Sequence, residues 1–305
     1  MSNKPIYVEI DIDCSVDEAW TYTQQPQLHE QWDLRFSRIT YCDKAHEDEP
    51  QRFTYTTNVL PGISVSGWGE SKGTHEKNGV KTSSLHFGTK QRISPIQEGK
   101  GYWQYVPKQN GMTFLTQYDY DVRYGAIGRA FDVLFRPVMG WATALSFDVL
   151  ARWLEQGERP RTQYRRFFSY YLLIALFVFV WLYQGLVPKV IGQHPLEMAM
   201  LTELSPISSQ HAATAIVVVG LLEIVVALLF CVRKLHRVLL IAQVVLFPLL
   251  TVSAIVAAPH VATDPFNVVT FNVLLSGLSI AALMLRVELP TASSCKRKRG
   301  ASHDL

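Results

Sequence analysis

Glu223 lies near the middle of an apolar run, VVVGLLEIVVALL. If that run crosses a bilayer, an ionised carboxylate there costs about 2.5–3.5 kcal/mol on insertion scales. The side chain must then face other helices and be paired or protonated. Gln184, Gln243, Asn267 and Asn272 sit in or beside the other apolar runs and are candidate hydrogen-bond partners for it. Polar residues in such places act as glue between helices, worth about 0.6 kcal/mol each on average. Alternatively they form a site that handles protons or a quinone. Glue is the expectation for the amides, and both readings stay open for Glu223.

The first half of the chain offers a different set. Asp33, Arg35, Glu70, His86, Tyr118 and Arg123 are the groups able to act as acid, base or anchor. None of them forms a recognisable catalytic constellation, so no catalytic residue is nominated and catalysis is not the expectation. His86 in SSLHFG alternates as a strand residue does, and Glu70 reads as an outward strand position. Six of the seven tryptophans fall in this half. Trp32, Trp68, Trp103 and Trp141, with His86, are the residues nominated to line an apolar ligand pocket, with core or rim packing as the alternative. Gly67, Gly69 and Gly73 are spaced for bulges and turns. Phosphate binding would need a helix N-terminus directly after them. Cys14, Cys42, Cys231 and Cys295 are scattered without metal spacing, so no metal site, disulfide framework or cofactor is expected.

These groups are carried by two unlike halves. Residues 1–160 hold 17 Lys/Arg against 20 Asp/Glu, whereas 161–305 hold 12 against 6. The shift marks a boundary near QGERPR at 156–161 and argues against nucleic acid as a partner. Four apolar runs follow it: Phe167–Val187, Ala212–Cys231, roughly Leu235–Ala258 and roughly Phe266–Leu285. Each is about long enough for a helix to cross a ~30 Å hydrocarbon core. Arg161, Arg165 and Arg166 precede the first run, and Arg233, Lys234 and Arg237 separate the second from the third. Arg286 and the KRKR run at 296–299 follow the fourth, while the other two links contain a single Lys189. Positive charge therefore alternates sides as four spans require, with both termini cytoplasmic. KRKR reads as the positive-inside anchor, in reach of anionic lipid, rather than as a nuclear signal. Met1–Asp13 lacks the pattern of a cleavable signal peptide.

In the first half, Ile6, Val8, Ile10 and Ile12 alternate as a half-buried strand, and Ser15-x-x-Glu18 caps a helix. A second helix is expected over Pro26–Trp32. Strands are expected over Phe36–Tyr41, Arg52–Val59, Ile63–Ser71, Lys81–Phe87, Ile93–Gln104 and Met112–Arg123. Turns at Pro61-Gly62, Asn78-Gly79 and Asn110-Gly111 join several of them. A closing helix follows over about Ile127–Glu155, with Phe131, Leu134, Phe135, Val138, Ala142, Leu145 and Val149 as its core stripe. Phe147, Leu150 and Leu154 lie beside that stripe, and Pro137 should kink or split the helix.

Strand, two helices, six strands and a long helix is the order of an α+β helix grip, a curved sheet wrapped around its last helix. The segment IYVEIDIDCSVDEAW at 6–20, Pro26-Gln27-Leu28 with Trp32, and the closing Phe131–Trp153 resemble SRPBCC proteins, which include START-type lipid-binding and polyketide cyclase-like domains. The second half resembles DoxX-like membrane proteins. That likeness rests on Gln184-Gly185-Leu186-Val187-Pro188-Lys189, His194-Pro195-Leu196-Glu197, Gly220-Leu221-Leu222-Glu223, Asp264-Pro265 and Asn272. The first resemblance implies an apolar pocket between sheet and helix. The second implies an all-α four-helix bundle associated with quinone-linked, redox or stress functions. The expected domains are 1–157, a linker at 158–165, the bundle at 166–287 and a basic cytoplasmic tail at 288–305. The expected partners are the bilayer of a bacterial inner membrane and a hydrophobic small molecule or lipid, with a membrane protein as a further candidate. A binding module is the leading expectation. A membrane redox component acting at Glu223 (with Gln184, Gln243 and Asn272) and a structural or stress-related membrane protein are the alternatives.

Overall fold

The computed structural model describes residues 4–44, 46 and 49–299, with Ser209 described by its backbone alone. The chain divides into two units, Met1–Tyr164 with Pro290–Leu305, and Arg165–Leu289.

The first unit runs β1 (Ile6–Ile12), α1 (Val16–Gln24), α2 (Pro26–Trp32), β2 (Arg38–Tyr41), β3 (Arg52–Leu60), β4 (Ile63–Lys77), β5 (Val80–Gly88), β6 (Ile96–Pro107), β7 (Met112–Val122) and α3 (Gly125–Gln156). The seven strands form one antiparallel sheet in the order β1-β7-β6-β5-β4-β3-β2. Chain order and sheet order are those of a helix grip. Ser15 Oγ accepts from Glu18 N at 3.1 Å, the N-cap that its spacing promised.

Strand alternation decides which side chains face α3. Ile6, Val8, Ile10 and Ile12 of β1 pair across to Tyr118, Thr116, Phe114 and Met112 of β7. Those pair onward to Gly101, Trp103, Tyr105 and Pro107 of β6. Most of these side chains join Ala144, Phe147, Leu150 and Ala151 of α3 in one buried core.

Two expectations about α3 are corrected. The helix is not split at Pro137 but continues through it. Side-chain anchors hold it before that residue: Arg136 donates to Asp132 at 2.8 Å and to Asp119 at 2.7 Å. Tyr120 Oη donates to Asp132 at 2.7 Å. The expected core stripe is also only half right, because Phe131, Leu134 and Val138 are 52, 73 and 55% exposed, whereas Leu145 and Val149 are sealed.

Residues 290–299 return to the first unit. Glu9 and Lys296 exchange backbone hydrogen bonds of 2.9 and 2.8 Å, which extends β1 at its outer edge. Cys295 is buried and donates to Ala144 O at 3.2 Å. Thr291 N donates to Asp148 at 2.8 Å, and Arg297 to Pro137 O at 3.1 Å. Two members of the KRKR run therefore pair with the first unit. A sequence pattern carries no record of such a long-range edge pairing.

The second unit contains α4 (Pro160–Gln184, its first turn belonging to the first unit), a π-helical continuation (Gly185–Ile191), α5 (Pro195–Leu204), α6 (Ser209–Leu229), α7 (His236–Ala257) and α8 (Val268–Leu285). Helix α5 lies in the link between the first and second apolar runs. Tyr170, Phe177, Trp181, Phe230, Leu240, Phe247, Leu275 and Ala282 form the core between the helices. Among the described residues, five helices are long and apolar enough to cross a membrane, and one of them is α3, the closing helix of the first unit.

Phe147 is fully buried and stacks on Phe114 at 4.5 Å between ring centroids. Replacing Phe147 by Ala should cost the first unit about 3–5 kcal/mol. A lowered thermal midpoint in near-ultraviolet circular dichroism would report it.

Candidate functional site

The interior of the grip is built where α2 ends. His29 and Asp33 are four residues apart, so both fall on one face of the helix. Asp33 is 1% exposed. It accepts from Arg35 Nε at 2.9 Å and Nη2 at 2.6 Å, and from His29 Nε2 at 3.1 Å. The Arg35 guanidinium lies 5.6 Å from the Phe36 ring centre and 5.4 Å from that of Tyr118. Thr57 Oγ1 donates to the Arg35 carbonyl. Burial by itself would raise the Asp33 pKa. The charge and hydrogen bonds of Arg35, with the His29 bond, override burial and hold it well below the usual carboxylate range. Arg35 in turn is held charged, since attraction to Asp33 outweighs the burial that would lower its pKa.

Rings surround this pair. Trp32 stacks with His29 at 5.0 Å and lies 6.1 Å from both Trp103 and Phe147. Phe36 meets Tyr55 edge-on at 5.4 Å. Gly69 makes room for this lining, since a Cβ there would collide with the Phe53 ring. Its role is close approach; only Gly73, at φ +118 beside the β4 bulge, matches the turn-and-bulge expectation for these glycines.

Of the residues nominated from sequence, Trp32 and Trp103 meet on the inner face, and Asp33, Arg35 and Tyr118 are drawn together beside them. Trp68 and His86 do not join them. Their registers, opposite Gly88 and Lys100, place both on the other face of the sheet, where they contact each other edge-on at 4.9 Å. Glu70 lies on that outer face too, paired with Lys72 at 2.9 Å. Trp141 is 38% exposed on α3. Arg123 donates to Thr89 O at 2.6 Å and serves the loop. His29 was missed, although its i, i+4 spacing to Asp33 was readable. A recess of about 280 Å³ lies between β1, α3 and the returning tail. Its walls include Glu9, Asp11, Asp148, Glu155, Arg152 and Lys296, which suit ions and water better than an apolar molecule. Among the described residues, no three His, Cys, Asp or Glu side chains are grouped to hold a metal ion.

The bundle holds a second cluster. Lys189 Nζ lies 3.1 Å from Glu223 Oε2 and 3.0 Å from Glu197 Oε2, and Lys189 is 8% exposed. The Glu223 contact is an ion pair that is not aligned as a hydrogen bond. Gly185 and Gly220 create it, because each would place a Cβ within 2.6 Å of the other's carbonyl oxygen. This close crossing brings the residues that follow them, Lys189 and Glu223, together. The expected amide partners are elsewhere. Gln243 accepts from Ser279 at 3.1 Å, Asn272 donates to Thr251 at 3.0 Å, and Asn267 caps α8. Gln184 takes part through its main-chain carbonyl, 3.4 Å from Lys189 Nζ. Lys189 was visible in sequence as the single cation of its link, but its partner was not.

Residues 178–280 match the family model described as the DoxX-like family. The chain is 48% identical over 188 residues to the uncharacterized membrane protein YndG of Bacillus subtilis (strain 168), a match covering 61% of this chain and 70% of that protein. Among solved structures, the di-domain ARO/CYC StfQ from the steffimycin biosynthetic pathway is similar at 13% identity and a TM-score of 0.40, over 50% of each chain. A STAR-related lipid transfer protein fragment from Xanthomonas axonopodis is similar at 14% identity and a TM-score of 0.37, over 48% of this chain and 82% of that one. The protein TTHA0849 from Thermus thermophilus is similar at 14% identity and a TM-score of 0.36, over 45% of this chain and 86% of that one.

Replacing Asp33 by Asn would leave Arg35 charged and buried without its counter-ion, a loss of about 3–5 kcal/mol. Because the folded-state pKa of Asp33 is depressed, its contribution is fully present above about pH 4 and fades as pH falls below that. Denaturant unfolding followed by tryptophan fluorescence should show the variant less stable at neutral pH. Its loss of stability on acidification should be shallower than that of the parent.

Proposed function

We propose, from the premise that this chain belongs to the family of the membrane protein YndG, that its helix-grip unit is a bilayer-tethered binding module for a lipid, isoprenoid or other apolar small molecule. One observation carries the reading. Inner-face residues Phe36, Tyr55, Leu85, Phe87 and Trp103 stay only partly buried, although they point between sheet and helix. A filled core would seal them, as it seals Trp32 and Phe114. The unfilled trough is lined by rings and ends on one oriented polar group, Arg35 with Tyr118 and His29. That is the common make-up of a small-molecule site, mostly apolar with a few placed polar atoms.

The topology supports a cytoplasmic placement for this unit. The chain leaves it after Tyr164 and rejoins it at Pro290, so the helices between must cross an even number of times. Spans α4, α6, α7 and α8 meet that condition, and the Lys/Arg distribution points both termini into the cytoplasm at a bacterial inner membrane.

A second reading rests on Lys189. Two carboxylates share one ammonium there, and ionisable groups placed inside a membrane bundle are candidates for proton or quinone chemistry.

Native mass spectrometry of the full-length protein in mild detergent separates the two. A stoichiometric apolar mass is expected on the parent, and filling the trough with Leu85→Trp should lower its occupancy roughly tenfold. A mass that survives Leu85→Trp and disappears in Glu223→Gln would move the site to the bundle. No bound mass in any form would sink the module reading.

A further inference from the structure

The outward side of α3 presents an apolar stripe that the fold leaves uncovered. Ile127, Phe131, Leu134 and Val138 recur at four-, three- and four-residue steps and are 80, 52, 73 and 55% exposed. They mark one face of the helix over about 17 Å at 1.5 Å per residue. The opposite face of the same turns is sealed, at Gly128, Asp132 and Gly140. The stripe is therefore not a frayed end but the second side of a docked helix.

It continues onto the neighbouring end of the sheet. The β3–β4 turn, the β5–β6 connection and the start of α3 all lie at that end, as the strand registers require. Val59 and Leu60 in the first and Ile93 in the second are 57, 60 and 61% exposed. Hydrogen bonds hold these pieces as one surface: Tyr124 Oη donates to Arg92 O, Ser66 N to Gln91 Oε1 at 3.0 Å, and Thr89 Oγ1 to Ser66 O at 2.6 Å. Lys90, Arg92 and Arg129 are exposed around it, with Asp121 and Glu98 as exposed acids at that end.

We propose that this apolar face of the first unit, the α3 stripe with the Leu60 and Ile93 turns, is seated in the interfacial layer of the bilayer, with Lys90, Arg92 and Arg129 on anionic headgroups. Three observations select lipid as the occupant. Apolar side chains backed mainly by basic ones are the make-up of an interfacial membrane surface, whereas a protein interface core is depleted in charge and needs no basic rim. The bilayer is already within reach, since the same chain is a membrane protein. Within the first unit, residues 163–164 also lie back along α3 rather than beyond its end. Gln163 Nε2 donates to Val149 O at 3.0 Å, and Tyr164 Oη to Trp32 O with Ser146 Oγ 3.5 Å away. This goes beyond the ligand reading and does not rest on it, because an empty trough is compatible with a lipid-seated rim.

The test uses the full-length protein in vesicles of equal parts phosphatidylcholine and phosphatidylglycerol. Exposed Cys42 and Cys231 are replaced by Ser. Burial pushes the Cys14 and Cys295 thiols up to about 12, so they stay protonated and slow to label. A nitrobenzoxadiazole label is then placed at Leu134→Cys, at Ile127→Cys or, as the control at the far end of the sheet, at Glu76→Cys. Spin-labelled phosphatidylcholine should quench the labels at 134 and 127 roughly threefold more than the control, and aqueous iodide should show the reverse. Equal quenching by iodide at all three positions would overturn the proposal. So would labels at 134 and 127 shielded from both quenchers, because a protein surface would then be the cover.

Discussion

One helix has to cover the inner face of a seven-stranded sheet, and the rest of the first unit follows from how α3 does so. It is pinned at three places. Asp132 and Arg136 tie its first half to Tyr120 and Asp119 of β7. Phe147 stacks on Phe114 in the middle. Glu155 accepts from Asp13 N at 2.9 Å near its end. A single helix is about 10 Å wide, narrower than seven strands spaced about 4.8 Å apart. It closes against β1, β7 and β6 and leaves β5, β4 and β3 less well covered. The partial exposure of Tyr55, Leu85 and Phe87 on those three strands follows from that mismatch.

Each unit holds one buried ionic cluster, and the two differ in balance. Asp33 and Arg35 compensate each other one to one, with His29 as a further donor. Such a pair costs much to break and adds little as net stability. It orients the polar end of the trough. Lys189 stands between Glu197 and Glu223, so its charges do not cancel. The close approach of Gly185 and Gly220 forces that arrangement, since it brings a lysine of the π-helical segment beside the middle of α6.

The α3 stripe shows how a pattern misleads when its covering partner is outside the chain. Phe131, Leu134 and Val138 recur as core residues do, and periodicity alone assigns them to a protein core. Leu145 and Val149 obey that assignment. The first half of the helix carries the same face outward, opposite its Asp132–Arg136 anchor, whereas residues 163–164 pack along the second half.

Local physics was enough for the elements. Alternation in β1, the Ser15 cap, the glycine turns and four long apolar runs were legible because each depends on residues close in sequence. The helix-grip order and the membrane helices followed from their succession. The face on which a strand residue lands was not legible, because a register set by pairing and bulges put Trp68 and His86 outside and Trp103 inside. Neither was the partner of Glu223, which depends on a helix crossing at two glycines 35 positions apart. The return of Cys295 and Lys296 to β1 depends on an edge formed far earlier in the chain, with 287 positions between Lys296 and its partner Glu9. Composition and spacing determined which elements form. Packing between distant segments decided which side chains they bring together.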